Sequence, residues 1–284
     1  MKIEFLGTGG ATPTPRPSCH CRVCEQARER GVPWSRTGPS IFVHGPDVLI
    51  DTPEESSYQL NRAGIDRIAG CLYSHWHPDH SMGRRVWETR NMDYRSWPPR
   101  STRTNIYLPE QVAHDFRERL GLEEHFEFMQ KHQLVQVIEL RDGVTIELGG
   151  IEISPVRLAQ DYVYAFLLTG AHGRVLIAPD ELHGWVPPDL GPLALAVLPM
   201  GVVEFEPFTG ERRIPAGHPI LQQEATFERT LGIVDRLRVE RIVLTHIEEP
   251  DGLSYDDLLR LENVLLDRGY DITFAYDTMT VDVA

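Results

Sequence analysis

Residues 73–83 read YSHWHPDHSMG and put His75, His77, Asp79 and His80 within six positions. Imidazole nitrogens and a carboxylate at this density suit a borderline divalent ion such as zinc, or manganese where oxygen donors dominate. The plainer reading is a polar loop that starts a helix, with Asp79 as its N-cap. A second cluster, PSCHCRVCEQAR, spaces Cys19, Cys21 and Cys24 as C-x-C-x2-C. Three thiols so close together ask for a fourth donor to close a structural zinc tetrahedron, with unligated thiols as the alternative. Cys71 lies inside an apolar strand and reads as a small core residue.

The segments around these clusters alternate short β-branched runs with amphipathic helices. KIEFLG, SIFVH, DVLID and GCLYSH read as strands, and SSYQLNRAG as a helix closed by Gly64. The second half repeats the scheme: a hairpin turning at Gly149-Gly150, then strands YAFLLTG, RVLIAPD and LALAVLPMG. A helix near EATFERTLGIVDRL leads to strand RIVLTH, helix SYDDLLRLENVLLDRG and terminal strands DITFAY and TVDV. This order predicts an α/β fold of two mixed sheets with helices outside. His75 and His77 then follow a strand end, where side chains leave the sheet and can converge.

Composition narrows the class. The chain has 284 residues, 41% hydrophobic and 25% charged, which suits a soluble globular protein, and a single domain over 1–284 is expected because no linker or repeat interrupts it. No apolar run reaches about 18 residues and MKIEFLGTGG lacks a signal-peptide core, so a cytoplasmic location without a membrane partner is expected. With 28 basic and 42 acidic residues, the net charge of −14 argues against binding a nucleic-acid polymer.

The ordered set GTGG, LIDT (49–52), SHWHPDH, APDE (178–181), AGH (216–218) and LTH (244–246) resembles the metallo-β-lactamase superfamily over most of the chain. The resemblance implies an αββα sandwich with a dinuclear metal site at one edge. By it, His75 and His77 serve one metal, Asp79, His80 and His246 the other, and Asp180 bridges them. Asp51 would orient a ligand histidine, or simply cap a turn. The cysteine loop (13–39) after the first strand is similar to two branches, the PhnP-type cyclic phosphodiesterases of the carbon–phosphorus lyase pathway and the PqqB-type proteins. The intact H-x-H-x-D-H and the closing YDTM (276–279) favour the former.

Two positions depart from that pattern. Where PhnP-type enzymes have a histidine three residues beyond LTH, this chain has Glu249, so Glu249 or His20 would complete the zinc site. Where a first-metal histidine precedes the strand YVYAFLLTG, it offers only Gln160 and Asp161, and Asp161 is the expected substitute. His218 of IPAGHP matches a histidine near the substrate phosphate, and with Asp79 makes up the expected catalytic pair.

The resemblance therefore implies a metal-dependent phosphodiesterase for a small cyclic or nucleotide-like substrate, with a structural zinc and one or two catalytic zinc or manganese ions. Hydrolysis of another ester or lactone, and a non-catalytic PqqB-like accessory role, are the alternatives. Segment 84–104 carries Arg84, Arg85, Arg90, Arg95, Arg100 and Arg103 among Trp87, Tyr94 and Trp97. It reads as a lid over a phosphorylated ligand, or as a loop whose aromatics pack on the core or at a homodimer interface.

Overall fold

The computed structural model describes residues 1–99 and 103–283. Six strands come first: β1 (Lys2–Gly7), β2 (Ser40–His44), β3 (Val48–Ile50), β4 (Gly70–Leu72), β5 (Thr104–Pro109) and β6 (Val135–Leu140). The next seven are β7 (Ile146–Leu148), β8 (Ile151–Arg157), β9 (Tyr164–Gly170), β10 (Gly173–Ile177), β11 (Leu195–Pro199), β12 (Ile242–Thr245) and β13 (Ile272–Phe274). A last strand, β14 (Thr280–Asp282), returns to β1. Two seven-stranded sheets result, ordered β14-β1-β2-β3-β4-β5-β6 and β13-β12-β11-β10-β9-β8-β7.

Both sheets follow one plan. Strands β14, β1, β2 and β3 pair antiparallel, and β3 through β6 pair parallel. Likewise β7 through β10 are antiparallel and β10 through β13 parallel. Parallel neighbours need crossovers, and these carry the main helices. Ser56–Ala63, Glu110–Glu118 and Glu123–Lys131 serve the first sheet, and Phe227–Val234 and Tyr255–Asp267 the second.

Strand alternation assigns the cores. Val48 and Ile50 point between the sheets while Leu49 points to the helices, and Val175 and Ile177 face inward while Leu176 faces out. Each central strand is therefore apolar on both faces, which covering on both sides requires. Helix Tyr255–Asp267 starts where Ser254 and Asp257 cap each other's backbone N–H groups, and Ser56–Ala63 stops at left-handed Gly64. The stretch 104–140 supplies β5, two helices and β6. Among the described residues no helix is long and apolar enough to cross a membrane.

Segment 84–104 divides into an anchored part and an exposed part. Trp87 is fully buried among the helices of the first sheet, its Nε1–H donating to Tyr73 Oη at 3.0 Å. Arg90 is tied to the carbonyls of Ile65 and Asp66. Tyr94 and Trp97 are exposed, and Arg100 lies outside the described residues. Trp87→Ala should cost about 3–5 kcal/mol by urea denaturation, the usual scale for emptying a large aromatic site. A loss below about 1 kcal/mol, ordinary for a surface position, would mean that the indole is not part of the core.

Candidate metal centre

One edge of the sandwich collects the carboxyl ends of the parallel strands, and the chemistry-bearing side chains leave the sheets there. Asp51 follows β3 with φ 62°, and His246 follows β12 with φ 54°, both in the left-handed region that non-glycine residues rarely occupy. Each therefore turns its side chain sharply off the strand. After β4 the chain runs through Ser74, His75 and His77 into the short helix Pro78–Ser81, whose Pro78 suits a first helical turn. That turn carries Asp79 and His80. Gly10 permits the remaining approach, since a Cβ there would lie 2.4 Å from His246 Cε1.

The donors form two triplets, His75–His77–Asp180 and Asp79–His80–His246, with ligand atoms in each set within 4.8 Å of one another. Asp180 faces both. Its Oδ2 lies 3.1 Å from His75 Nε2 and 3.7 Å from His80 Nε2, and its Oδ1 lies 3.4 Å from His246 Nε2. Asp79 Oδ2 is 3.3 Å from His80 Nε2 and 3.6 Å from His246 Nε2. His75 Nε2 is buried and, despite the nearby carboxylate, makes no hydrogen bond. The nitrogen and oxygen are thus close without being aligned for a shared proton, as donors converging on a common cation would be.

Asp51 orients this set from behind. Its Oδ2 accepts from His80 Nδ1 at 2.8 Å and from Ser74 Oγ at 2.6 Å, and its Oδ1 accepts from Ser74 N at 2.7 Å. Holding the proton on Nδ1 leaves the His80 Nε2 lone pair aimed at the cluster. Burial opposes charge on His80, yet Asp79 and Asp51 outweigh it and push its pKa well above the ordinary value. Burial likewise opposes charge on His246, but Asp180 and Asp79 raise it to about 9. His77 goes the other way, to about 4, through burial and the nearby His75. Burial alone would raise Asp79 and Asp180, but the facing imidazoles hold both below the usual carboxylate range. Without ions, protons on histidines balance the carboxylates, and a metal entering must displace them.

The thiol cluster closes on Glu249. Its Oε1 lies 3.3 Å from Cys19 Sγ, 2.8 Å from Cys21 Sγ and 3.3 Å from Cys24 Sγ. Backbone N–H groups also reach the sulfurs, Arg16 N to Cys24 at 3.3 Å and Cys24 N to Cys21 at 3.5 Å, the latter where Cys21 caps helix Arg22–Arg30. Such donors favour thiolates. Burial and Glu249 push Cys24 up to about 12, so a cation is needed to ionise it near neutrality. Three sulfurs and a carboxylate fit a tetrahedral zinc. His20 is exposed and bonded to Glu25, away from the set, and Cys71 is buried in β4.

Asp161 departs from expectation. It is exposed and stands outside both triplets. In the turn 160–163, Tyr162 Oη donates to Gln160 Oε1, and the Asp161 carbonyl accepts from Arg157 Nη1 at 3.1 Å. Tyr162 instead packs beside the ligands, its ring centroid 5.6 Å from that of His77. His218 is also outside the triplets, exposed in a turn where its Nδ1 accepts from Ile220 N at 3.2 Å. The described residues of segment 84–104 do not line the metal cleft.

That cleft, about 90 Å³, is lined by His77, Asp79, Asp180 and His246 together with Glu181, Glu224, Glu248 and Asp251. These last four carried no signal as ligands. Burial and the adjacent Glu224 raise Glu181 to about 10, which keeps a proton on Glu181. Only the APDE motif hinted at Glu181, and Glu224 reaches it from a distant loop.

A family model described as a beta-lactamase superfamily domain matches residues 45–247. The chain belongs to the beta-lactamase superfamily. Among curated proteins, ribonuclease Z of Pyrococcus furiosus is 33% identical over 113 residues, 39% of this chain and 30% of that protein. An octanoyltransferase of Porphyromonas gingivalis is 26% identical over 163 residues, 56% of this chain and 30% of that protein. The matched segments thus span under a third of these relatives. Among solved structures, a diphosphatase of the PhnP family aligns with TM-score 0.70 and 20% identity, covering 100% of this chain and 98% of that one. Zinc-bound PqqB from Methylobacterium extorquens aligns with TM-score 0.73 and 16% identity, covering 99% and 100%. At these identities the likeness is one of fold, and the superfamily member shares its architecture with both branches.

Two measurements check the donor sets. Cys21→Ser and Glu249→Ala should each lower tightly bound zinc by about one ion per chain and reduce Tm, whereas Cys71→Ser leaves zinc content intact. Metal content and Tm equal to the parent's in Cys21→Ser would remove the thiol site. Separately, Asp161→Ala should retain the parent's non-thiol metal content while Asp180→Ala loses most of it. The reverse order, read by elemental analysis after dialysis, would restore Asp161 as a ligand.

Proposed function

We propose that this protein is a metal-dependent hydrolase of small organic phosphodiesters. His75, His77, Asp79, His80, Asp180 and His246 hold two divalent ions, zinc or manganese, and Cys19, Cys21, Cys24 and Glu249 hold a structural zinc. The observation that carries the reading is Asp180, whose two oxygens face both imidazole-bearing triplets across one small cleft. When bound, paired ions neutralise phosphate oxygens and make a water acidic enough to act as nucleophile near neutral pH.

The chain's own groups do the rest. Asp51 and Ser74 fix the His80 tautomer, so its Nε2 stays a donor to a cation rather than to substrate. Glu181, raised by burial and by the neighbouring Glu224, keeps its proton and so adds no negative charge where an incoming phosphate arrives. The water oxygen joins phosphorus, the bond to one ester oxygen breaks, and the departing alcohol takes a proton. With Nδ1 accepting from Ile220 N, the His218 Nε2–H is free to donate a hydrogen bond to the departing oxygen, and the proton itself comes from solvent. The acidic cleft also supports a small substrate over a nucleic-acid polymer.

Reconstitution with zinc or manganese should bring turnover of bis(p-nitrophenyl) phosphate or cyclic ribose phosphates, abolished in Asp180→Ala. Lactone turnover without phosphodiester turnover would reassign the substrate to carbon esters. No turnover of either, with metals retained, would favour a PqqB-like accessory role.

A further inference from the structure

The metal cleft, about 90 Å³, is the smaller of two adjoining spaces. A cavity of about 460 Å³ lies beside it, sharing Val202, Ile220, Glu248 and Asp251 as a common wall, so a phosphodiester whose phosphoryl group sits among the metal ligands has room to extend into it. That volume lies in the usual range for small-molecule pockets, roughly 300–1,000 Å³.

The chemistry of this second cavity is specific. Val203, Ile214, Pro215 and Pro250 make most of its surface apolar, and Arg213 and His218 add polar groups. The shared carboxylates are already satisfied by the chain. Glu248 accepts from Ala11 N at 3.0 Å and Thr12 Oγ1 at 2.7 Å, and Asp251 accepts from Val203 N at 2.9 Å and Glu248 N at 3.3 Å. Arg213 is not satisfied in this way.

Arg213 sits on a braced hairpin. Glu206 N bonds Glu211 O at 2.8 Å, Phe205 bridges Arg212, and Arg213 N bonds Glu204 O at 2.9 Å. At the tip, Phe208 packs under Arg260 with 4.1 Å between the guanidinium and the ring centroid. The two neighbouring arginines differ in employment. Arg212 is paired with Glu204 and stacked on Phe205, whereas the Arg213 guanidinium has no carboxylate partner among the described residues. It lies against Gly252, where a Cβ would come within 2.1 Å of Nη2. Left-handed Gly252 therefore provides the seat for an otherwise uncommitted guanidinium at the cavity wall.

Resting on the phosphodiesterase reading above, we propose that this cavity holds the alcohol part of the substrate. It selects an alcohol with an apolar or planar body bearing a second anionic group, which Arg213 binds. An apolar lining with one unpaired guanidinium favours such a ligand over a neutral polyol, because the guanidinium gains a charge-assisted pair and the body loses its contact with water.

The test uses metal-loaded protein and two matched esters, p-nitrophenyl phenyl phosphate and p-nitrophenyl 4-carboxyphenyl phosphate. The parent should prefer the carboxylated ester by about tenfold or more in kcat/KM, chiefly through KM. Arg213→Ala should collapse that ratio towards one, and Arg213→Lys should restore part of it. Ile214→Trp, which fills the cavity, should raise KM for both esters. An unchanged ratio in Arg213→Ala overturns the proposal, even if both esters are hydrolysed. Should neither ester turn over, the phosphodiesterase reading falls, and calorimetric binding of 4-carboxyphenyl phosphate against phenyl phosphate still decides the cavity. A preference for the carboxylated ligand that Arg213→Ala abolishes supports the proposal, and equal binding overturns it.

Discussion

Negative charge buried at the edge of the sandwich is the constraint around which the site is arranged. Asp51 and Asp180 are buried and Asp79 nearly so, within a protein whose net charge is already −14. Removing carboxylates from water is costly unless positive charge accompanies them. Histidine is suited to that task because it carries either a proton or a metal ion. The raised pKa values of His80 and His246 express the first state, and the unbonded, buried His75 Nε2 belongs to the second. Both sheets serve this edge, because the parallel strands of each terminate there, β3 and β4 from one and β10 and β12 from the other.

The same constraint links the two clusters through one short segment. Residues 246–251 alternate between duties: His246 faces Asp180, Glu248 holds the loop at Ala11 and Thr12, Glu249 closes the thiol set, and Asp251 caps the turn through Val203 N and Glu248 N. Buried Arg36 ties the segment at both ends, donating to Ile247 O and Leu253 O at 3.2 Å each. The cysteine loop is consequently a brace for the strand end that carries His246. Its distance from the chemistry in sequence is not a distance in space.

What was legible in the sequence follows from how local the causes were. H-x-H-x-D-H is a local pattern, since one strand end and one helical turn carry all four side chains, so its density alone pointed to a cation. Strands covered on both faces announce themselves as apolar runs, which made most of both sheets readable. Glu249 was legible only as a position where a histidine was missing. Asp161 reads as a donor because a carboxylate lies near the right strand, and sequence does not reveal that the fold leaves it exposed and outside both triplets. Glu181 and Glu224, 43 positions apart by number, meet through the loop packing that brings Ala225 N to Glu181, and no periodicity encodes that. In the 104–140 stretch, helices and strands follow one another without a clear change of pattern.

On the reading proposed above, an acidic cleft that accepts an anion would impose an order on binding. With Asp79, Asp180, Glu224 and Glu248 around about 90 Å³, a phosphate arriving before the ions would meet carboxylates that only the histidine protons offset. With ions present the sign at the centre reverses, and the remaining carboxylates act as a fence that limits where negative charge may sit. A second anionic group on the substrate then has few favourable positions. The uncommitted guanidinium of Arg213, across the wall formed by Glu248 and Asp251, is one, and it is set apart from the ions by residues that give it no competing partner. Under the proposal, metal at the centre and arginine at the far side would divide one substrate's charges between two separated cationic points, a geometry that would favour molecules of fitting length over inorganic phosphate.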